Sequence, residues 1–311
     1  MRWGWLCNLT WVEISIAAGV FLTVRNALAR TLSGKVSPVL ISWARFAFNL
    51  PFSGPLVLFL SLSGRWPTLS IEFYWYCFLT GVAQILANVA LVSAFQHANF
   101  AQVIVLHKLE VVFTALFGVA FFAEIPSALG WVGIIISSLG VMLMNFWKKG
   151  GPAGWRRAFH FDLGALLALV CAVFLVLASF MLKQATAEFA ALNPHFGASR
   201  FEAAVYAVFH TTWMEVVMLT FSLWSFQREE LRRIPRHWRR MALIGAASFG
   251  GSICSFWSYS LTLVVYAKAV AQIEAVVAIG LALFVWRERD VWRQLPGISL
   301  VIAGIAVILL G

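Results

Sequence analysis

Apolar residues run along the chain in long blocks, separated by short breaks rich in glycine, proline or charge. Ten blocks are long enough for a helix to cross a bilayer: 12–31, 37–62, 71–96, 100–123, 127–147, 161–186, 199–226, 238–263, 266–287 and 293–310. A crossing takes about 20 mostly apolar residues, because each adds 1.5 Å of rise and the hydrocarbon layer is about 30 Å thick. The breaks hold the residues that end helices: Ser33-Gly34, Gly64 to Pro67, Pro126, Gly150-Gly151-Pro152, Asn193-Pro194, Pro235 and Pro296. Trp66, Trp131, Trp147, Trp155, Trp238, Trp286 and Trp292 stand near block ends, where an aromatic belt meets the membrane interface. The pattern predicts an all-α polytopic membrane protein with ten transmembrane helices.

The first block has the outline of a secretory signal, an apolar run from Ile14 to Val24 followed by Asn26-Ala27-Leu28-Ala29. Trp11-Val12-Glu13 interrupts the basic-then-apolar order of such a signal, and a counterpart of this block opens the second half. It is therefore expected to remain as the first helix.

Composition agrees. Hydrophobic residues make up 61% and charged residues 12%, against about 25% charged in soluble domains. The net charge of +10 invites a nucleic-acid reading, but the excess sits in short clusters between apolar blocks. These are Lys148, Lys149, Arg156 and Arg157, and the six arginines at 228, 232, 233, 236, 239 and 240. Basic loops beside spans follow the positive-inside rule, so the expected partners are a small-molecule substrate and the lipid bilayer, with no nucleic acid. Cys7, Cys77, Cys171 and Cys254 lie far apart and read as packing residues; no metal or cofactor is expected.

The chain also repeats itself. A shift of 164 residues places Glu110 on Glu274, Glu124 on Glu288, Gly133 on Gly297 and Gly140 on Gly304. With a different offset, Val20-Phe21-Leu22 meets Val173-Phe174-Leu175, and Arg45-Phe46 meets Arg200-Phe201. Two repeats of five helices follow, at 1–149 and 161–311, joined by a basic loop at 150–160. An odd helix count per repeat inverts the second relative to the first, an architecture recurrent among transporters.

The fourth helix of each repeat closes on a glutamate, followed by a short turn and a glycine-bearing fifth helix. The stretches are FGVAFFAEIPSALGWVGIIISSLGVMLM and LALFVWRERDVWRQLPGISLVIAGIAVILL. In this the chain resembles the EamA-type members of the drug/metabolite transporter superfamily, over essentially its whole length. The resemblance implies ten helices in two five-helix repeats, in the inner (plasma) membrane. It also implies transport of amino acids, amines or related metabolites, often by export and with proton exchange. Two departures stand out. The family's proline early in the fourth helix is missing at Glu110-Val111 and Glu274-Ala275, so its kink is not carried over. The resemblance puts both termini in the cytoplasm, whereas the basic residues lie mostly on the side of the connections after helices one, three, five, seven and nine, which points to both termini outside.

Charges at membrane depth face a bundle interior, a partner or water. The fourth span carries Gln102, His107, Lys108 and Glu110, and the ninth Tyr266, Lys268, Gln272 and Glu274. Helical spacing puts Gln102 and His107 near the Glu110 face, and Tyr266 on the Glu274 face. One reading makes these eight residues a polar cavity: Glu110 or Glu274 binds a cationic group or a proton, His107 exchanges protons, and Lys108 or Lys268 neutralises an anion. The other makes the glutamates internal ion pairs with the lysines snorkelling to an interface. Arg45 and Arg200 are expected to pair with acids such as Glu13 or Glu202, and Glu124 and Glu288 to serve as caps or salt bridges near loops. The four repeat-related glycines are expected in close helix packing.

A secondary transporter, working by alternating access, is the expected function. A lipid or drug flippase on the same scaffold stays open. A membrane-embedded enzyme is not expected, because the chain holds no HExxH, no GxSxG and no metal cluster, and so no catalytic residues are assigned.

Overall fold

In a computed structural model the described residues are 10–32, 35–62, 66–97, 103, 106–147, 163–196, 200–284 and 295–310. They form α1 (Trp11–Leu32), α2 (Pro38–Ala47), α3 (Leu50–Leu62), α4 (Ile71–His97), α5 (Glu110–Phe122), α6 (Ala128–Trp147) and α7 (Leu163–Leu192). Then come α8 (Phe201–Phe226), α9 (Arg228–Leu231), α10 (Ile234–Leu261), α11 (Val264–Ala271), α12 (Ile273–Phe284) and α13 (Leu295–Leu310). No strand occurs among the described residues.

Six stretches have the length and hydropathy of a membrane span: Trp11–Ala29, Pro38–Leu62, Ile71–Leu91, Leu163–Leu192, Phe201–Phe226 and Ile234–Leu261. Ala128–Leu143 and Leu295–Leu310 are shorter apolar helices. Leu58, Phe59, Leu62 and Phe221 are all more than half exposed on helices of this kind, a display of apolar surface that suits lipid and not water. This is a multi-pass membrane protein.

Three of the expected spans are interrupted. In 37–62 the break falls at Phe48-Asn49, between α2 and α3. Pro51 explains it: the residue has no N–H to give the carbonyl of Ala47, and its ring crowds that turn. The expected spans 100–123 and 266–287 are interrupted at Leu109 and at Gln272. There the N–H groups of Leu109 and Gln272 donate to the carbonyls of Leu106 and Ala269, each at 3.2 Å, a tighter i→i−3 turn than the α-helix makes. The interruption that the missing prolines argued against is present in both stretches, one residue apart at a shift of 164 residues.

The chain divides into two compact units, each built from two separate stretches. Unit 1 comprises Met1–Val82 and Met181–Leu261; unit 2 comprises Ala83–Phe180 and Thr262–Gly311. In unit 1, α1 packs antiparallel on α10: Ser15 and Ser258 share a hydrogen bond of 2.6 Å, and Phe21 lies against Gly250. Its core gathers Phe73, Phe189, Tyr206, Phe256 and Trp257. Asn193 stitches its chain end to Thr68, donating to the Thr68 carbonyl and accepting from the Thr68 N–H, both at 2.8 Å.

In unit 2, α6 packs antiparallel on α13 along a seam of glycines. A Cβ on Gly133 would lie 2.6 Å from the Gly304 carbonyl oxygen, and one on Gly140 would lie 2.8 Å from that of Gly297. Gly133 therefore meets Gly304, the repeat equivalent of Gly140. The two backbones approach so closely that no side chain fits between them.

Candidate functional site

The charged residues of the fourth and ninth spans come together within unit 2. Lys108 ends the short turn before α5, and its ammonium bonds the carboxylate of Glu274 in the first turn of α12. Lys268, on α11, bonds the carboxylate of Glu110, the first residue of α5. Each lysine thus pairs with the glutamate beside the other helix break. Lys268 also donates to the Leu175 carbonyl at 3.3 Å and is only 7% exposed. Lys108, at 21%, is more open. The interruptions at Leu109 and Gln272 place all four charges within a turn or so of a helix break.

The quartet carries two positive and two negative charges, and within this apolar setting neither sign is stable alone. Direct contact offsets the desolvation of each ion, and loss of one partner leaves the other buried and uncompensated. The lysines do not snorkel away from the acids.

The other candidates take different places. His107 lies within the field of all four charged groups, and its Nδ1 is 3.6 Å from the Cys171 sulfur. Gln272 is buried, and among the described residues neither its amide nitrogen nor its amide oxygen has a hydrogen-bond partner. Tyr266 is turned to the loop before α6, where its hydroxyl accepts from the Ser127 N–H at 2.8 Å and donates to the Ser127 hydroxyl at 3.3 Å. Glu124 caps α11 by accepting from the Val264 N–H at 2.8 Å. The left-handed turn at Ala123 delivers it there. Gln102 and Glu288 lie outside the described residues. Among the described residues no group of three His, Cys, Asp or Glu side chains could hold a metal.

The two arginines depart from their expected acids. Arg45 is opposed by Glu215, and Arg200 donates to the Ser260 carbonyl at 2.6 Å. Glu13 instead accepts from Thr10 in its own turn. Glu215 was visible in the sequence only as a polar residue within the seventh span; its link to Arg45 needed the packing of α8 on α2.

Against known proteins, residues 9–146 match the EamA-like transporter family. The EamA-like stretch contains Lys108 and Glu110, while Lys268 and Glu274 lie beyond it. A comparison with curated proteins finds no match. Among solved structures, one described as a crystal structure of a protein matches with a TM-score of 0.67, covering 96% of this chain and 95% of that one at 17% identity. That likeness is one of fold. It covers the chain well past residue 146.

Proposed function

We propose that this protein is a secondary-active transporter of small metabolites (amino acids, amines or related compounds), built as an inverted repeat of five-helix units in the inner membrane and working by alternating access. The observation that carries the reading is the crossed pairing of Lys108 with Glu274 and of Lys268 with Glu110 beside equivalent helix breaks. Broken helices with charged groups at the break are how membrane carriers expose binding groups at depth. A substrate with an ammonium and an anionic group can exchange with members of the quartet without leaving a buried charge unpaired. His107 and the unpartnered amide of Gln272 add polar contacts on the same two spans.

The contacts support inversion. On the glycine seam Gly133 meets Gly304 and Gly140 meets Gly297, the exchange of equivalents that a twofold axis in the membrane plane produces. α1 packs on α10 (Phe21 on Gly250) and α4 on α7 (Phe73 on Phe189), and these helix pairs exchange under the same operation. Export, with proton exchange, fits the family.

An open apolar groove in unit 2, about 260 Å³ and lined by Phe113, Phe117, Phe121 and Val173, favours a second reading as a lipid or drug flippase. Proteoliposomes separate the two. Uptake of labelled amino acids, polyamines and a fluorescent lipid is followed with and without a pH gradient. Saturable amino-acid or amine uptake that disappears in Glu110→Gln and Glu274→Gln supports the carrier. Lipid scrambling unaffected by either substitution supports the flippase, and a hydrolysed product without uptake makes it an enzyme.

A further inference from the structure

Unit 1 contains a second set of buried polar groups that the reading above leaves unused. Arg45 on α2 and Asn49 at the α2–α3 break are one helical turn apart, and so are Thr211 and Glu215 on α8. Arg45 and Glu215 attract one another electrostatically, yet no direct ion pair joins them among the described residues. Asn49, Thr211 and Glu215 are almost fully buried, at 0%, 1% and 1% exposure. Even so, among the described residues Glu215 Oε1, Arg45 Nε and both amide atoms of Asn49 have no hydrogen-bond partner, and Thr211 Oγ1 has none beyond the neighbouring Cys77 thiol. On α10, Ser248 is 1% exposed and its hydroxyl is likewise unpartnered. Its neighbours Gly245 and Phe249 pack on Phe48 and Phe52, on either side of Asn49.

Buried polar atoms left dry lose their hydration and gain nothing in return, so native interiors avoid them. A cluster of such atoms on packed helices, with opposite charges that form no ion pair, is the setting in which ordered water bridges. Asn49, Thr211 and Ser248 supply both donors and acceptors for it. Gly81 fixes the acid from behind: a Cβ there would lie 3.1 Å from Glu215 Cγ, so the α4 backbone presses on the side chain's methylene.

We propose that these groups enclose ordered water, and that Glu215 exchanges a proton through it with Arg45 as its counter-ion. On uptake an O–H bond forms at the Glu215 carboxylate while an O–H bond of the delivering hydronium breaks and leaves water. The pair passes from no net charge to one positive charge, held by the guanidinium. The other titratable groups around Glu215 are few. On α4, Cys77 lies beside Thr211 and Tyr74 packs on His210. On α8, His210 is engaged with the Tyr206 carbonyl at 2.9 Å. Arg228, Glu229 and Glu230 lie beyond the far end of α8 on α9. On α10 are Cys254 and Tyr259 and, in its first two turns, Arg236, His237, Arg239 and Arg240, and α3 has no titratable side chain. Coupling of this exchange to transport rests on the carrier reading; the proton site does not.

The test is infrared difference spectroscopy on the full-length protein in lipid, stepped between acid and alkaline pH. The expected result is a reversible carboxylic-acid C=O band that is lost in Glu215→Gln and kept in Glu110→Gln and Glu274→Gln. Thr211→Val, which keeps the carboxyl, is expected to move the band and gives the answer if Glu215→Gln does not fold. A wild type without a titrating band, a band that survives in Glu215→Gln, or one unmoved in Thr211→Val overturns the proposal. A failed transport screen alongside a band assigned to Glu215 overturns the carrier and leaves the proton site standing.

Discussion

Units 1 and 2 both bury charge among apolar helices, and they do it in opposite ways. In unit 2 two lysines and two glutamates close crosswise into contact pairs, and every charge touches its opposite. In unit 1 Arg45 and Glu215 oppose one another with no ion pair between them, amid hydroxyl and amide groups that have no partner among the described residues. Contact pairs can be opened only by something that replaces a partner, which suits a substrate. A separated pair can change its charge state with nothing larger than a proton or a water molecule.

Substitutions can sharpen that contrast. The largest effect is expected at Lys268, the least exposed member of the quartet. Lys268→Met strands Glu110 and should lower stability by about 3–5 kcal/mol, read as a loss of melting temperature in detergent. Adding Glu110→Gln should restore most of it, whereas Lys108→Met, at the more open pair, should cost less. An equal loss for the two lysines would remove the distinction drawn here between a deep and an open pair.

Next comes the glycine seam. Gly133→Ala puts a methyl against the Gly304 carbonyl and is expected to cost about 1–3 kcal/mol, while Gly280→Ala, with nothing within 4 Å of its added methyl, should be neutral or slightly stabilising. In unit 1 the Tyr206 hydroxyl shares a buried 2.6 Å hydrogen bond with Ser61, so Tyr206→Phe should cost about 1 kcal/mol. The smallest effect is expected at Arg232, whose pair with Glu229 is exposed on both sides. Arg232→Ala should leave the melting temperature unchanged within error; a clear drop would mean that this basic segment is held by more than solvent-facing contacts.

Much of this was legible in the chain. Block length and hydropathy located the six stretches that have the length and hydropathy of a span, because a bilayer demands a length of apolar helix and little else. The repeat singled out the seam glycines and the two acids. The interruption between α2 and α3 could also have been read from Pro51, within what the apolar pattern presents as one continuous block. The breaks at Leu109 and Gln272 could not, since no proline or glycine marks them.

Helical periodicity settles which residues share a face, so the sequence alone determined that Glu110 and Glu274 stand at equivalent positions on polar-bearing spans and that Gly133 and Gly140 share one face. It says nothing of which face meets which across a hundred residues or more. Only the tertiary structure decided that Lys108 takes Glu274 while Lys268 takes Glu110, that Tyr266 turns to Ser127, and that Arg45 is opposed by Glu215 instead of Glu13 or Glu202. Those choices belong to the lateral packing of helices, where close approach of small residues and the neutralisation of buried charge are satisfied together, and no local pattern along the chain encodes that joint solution.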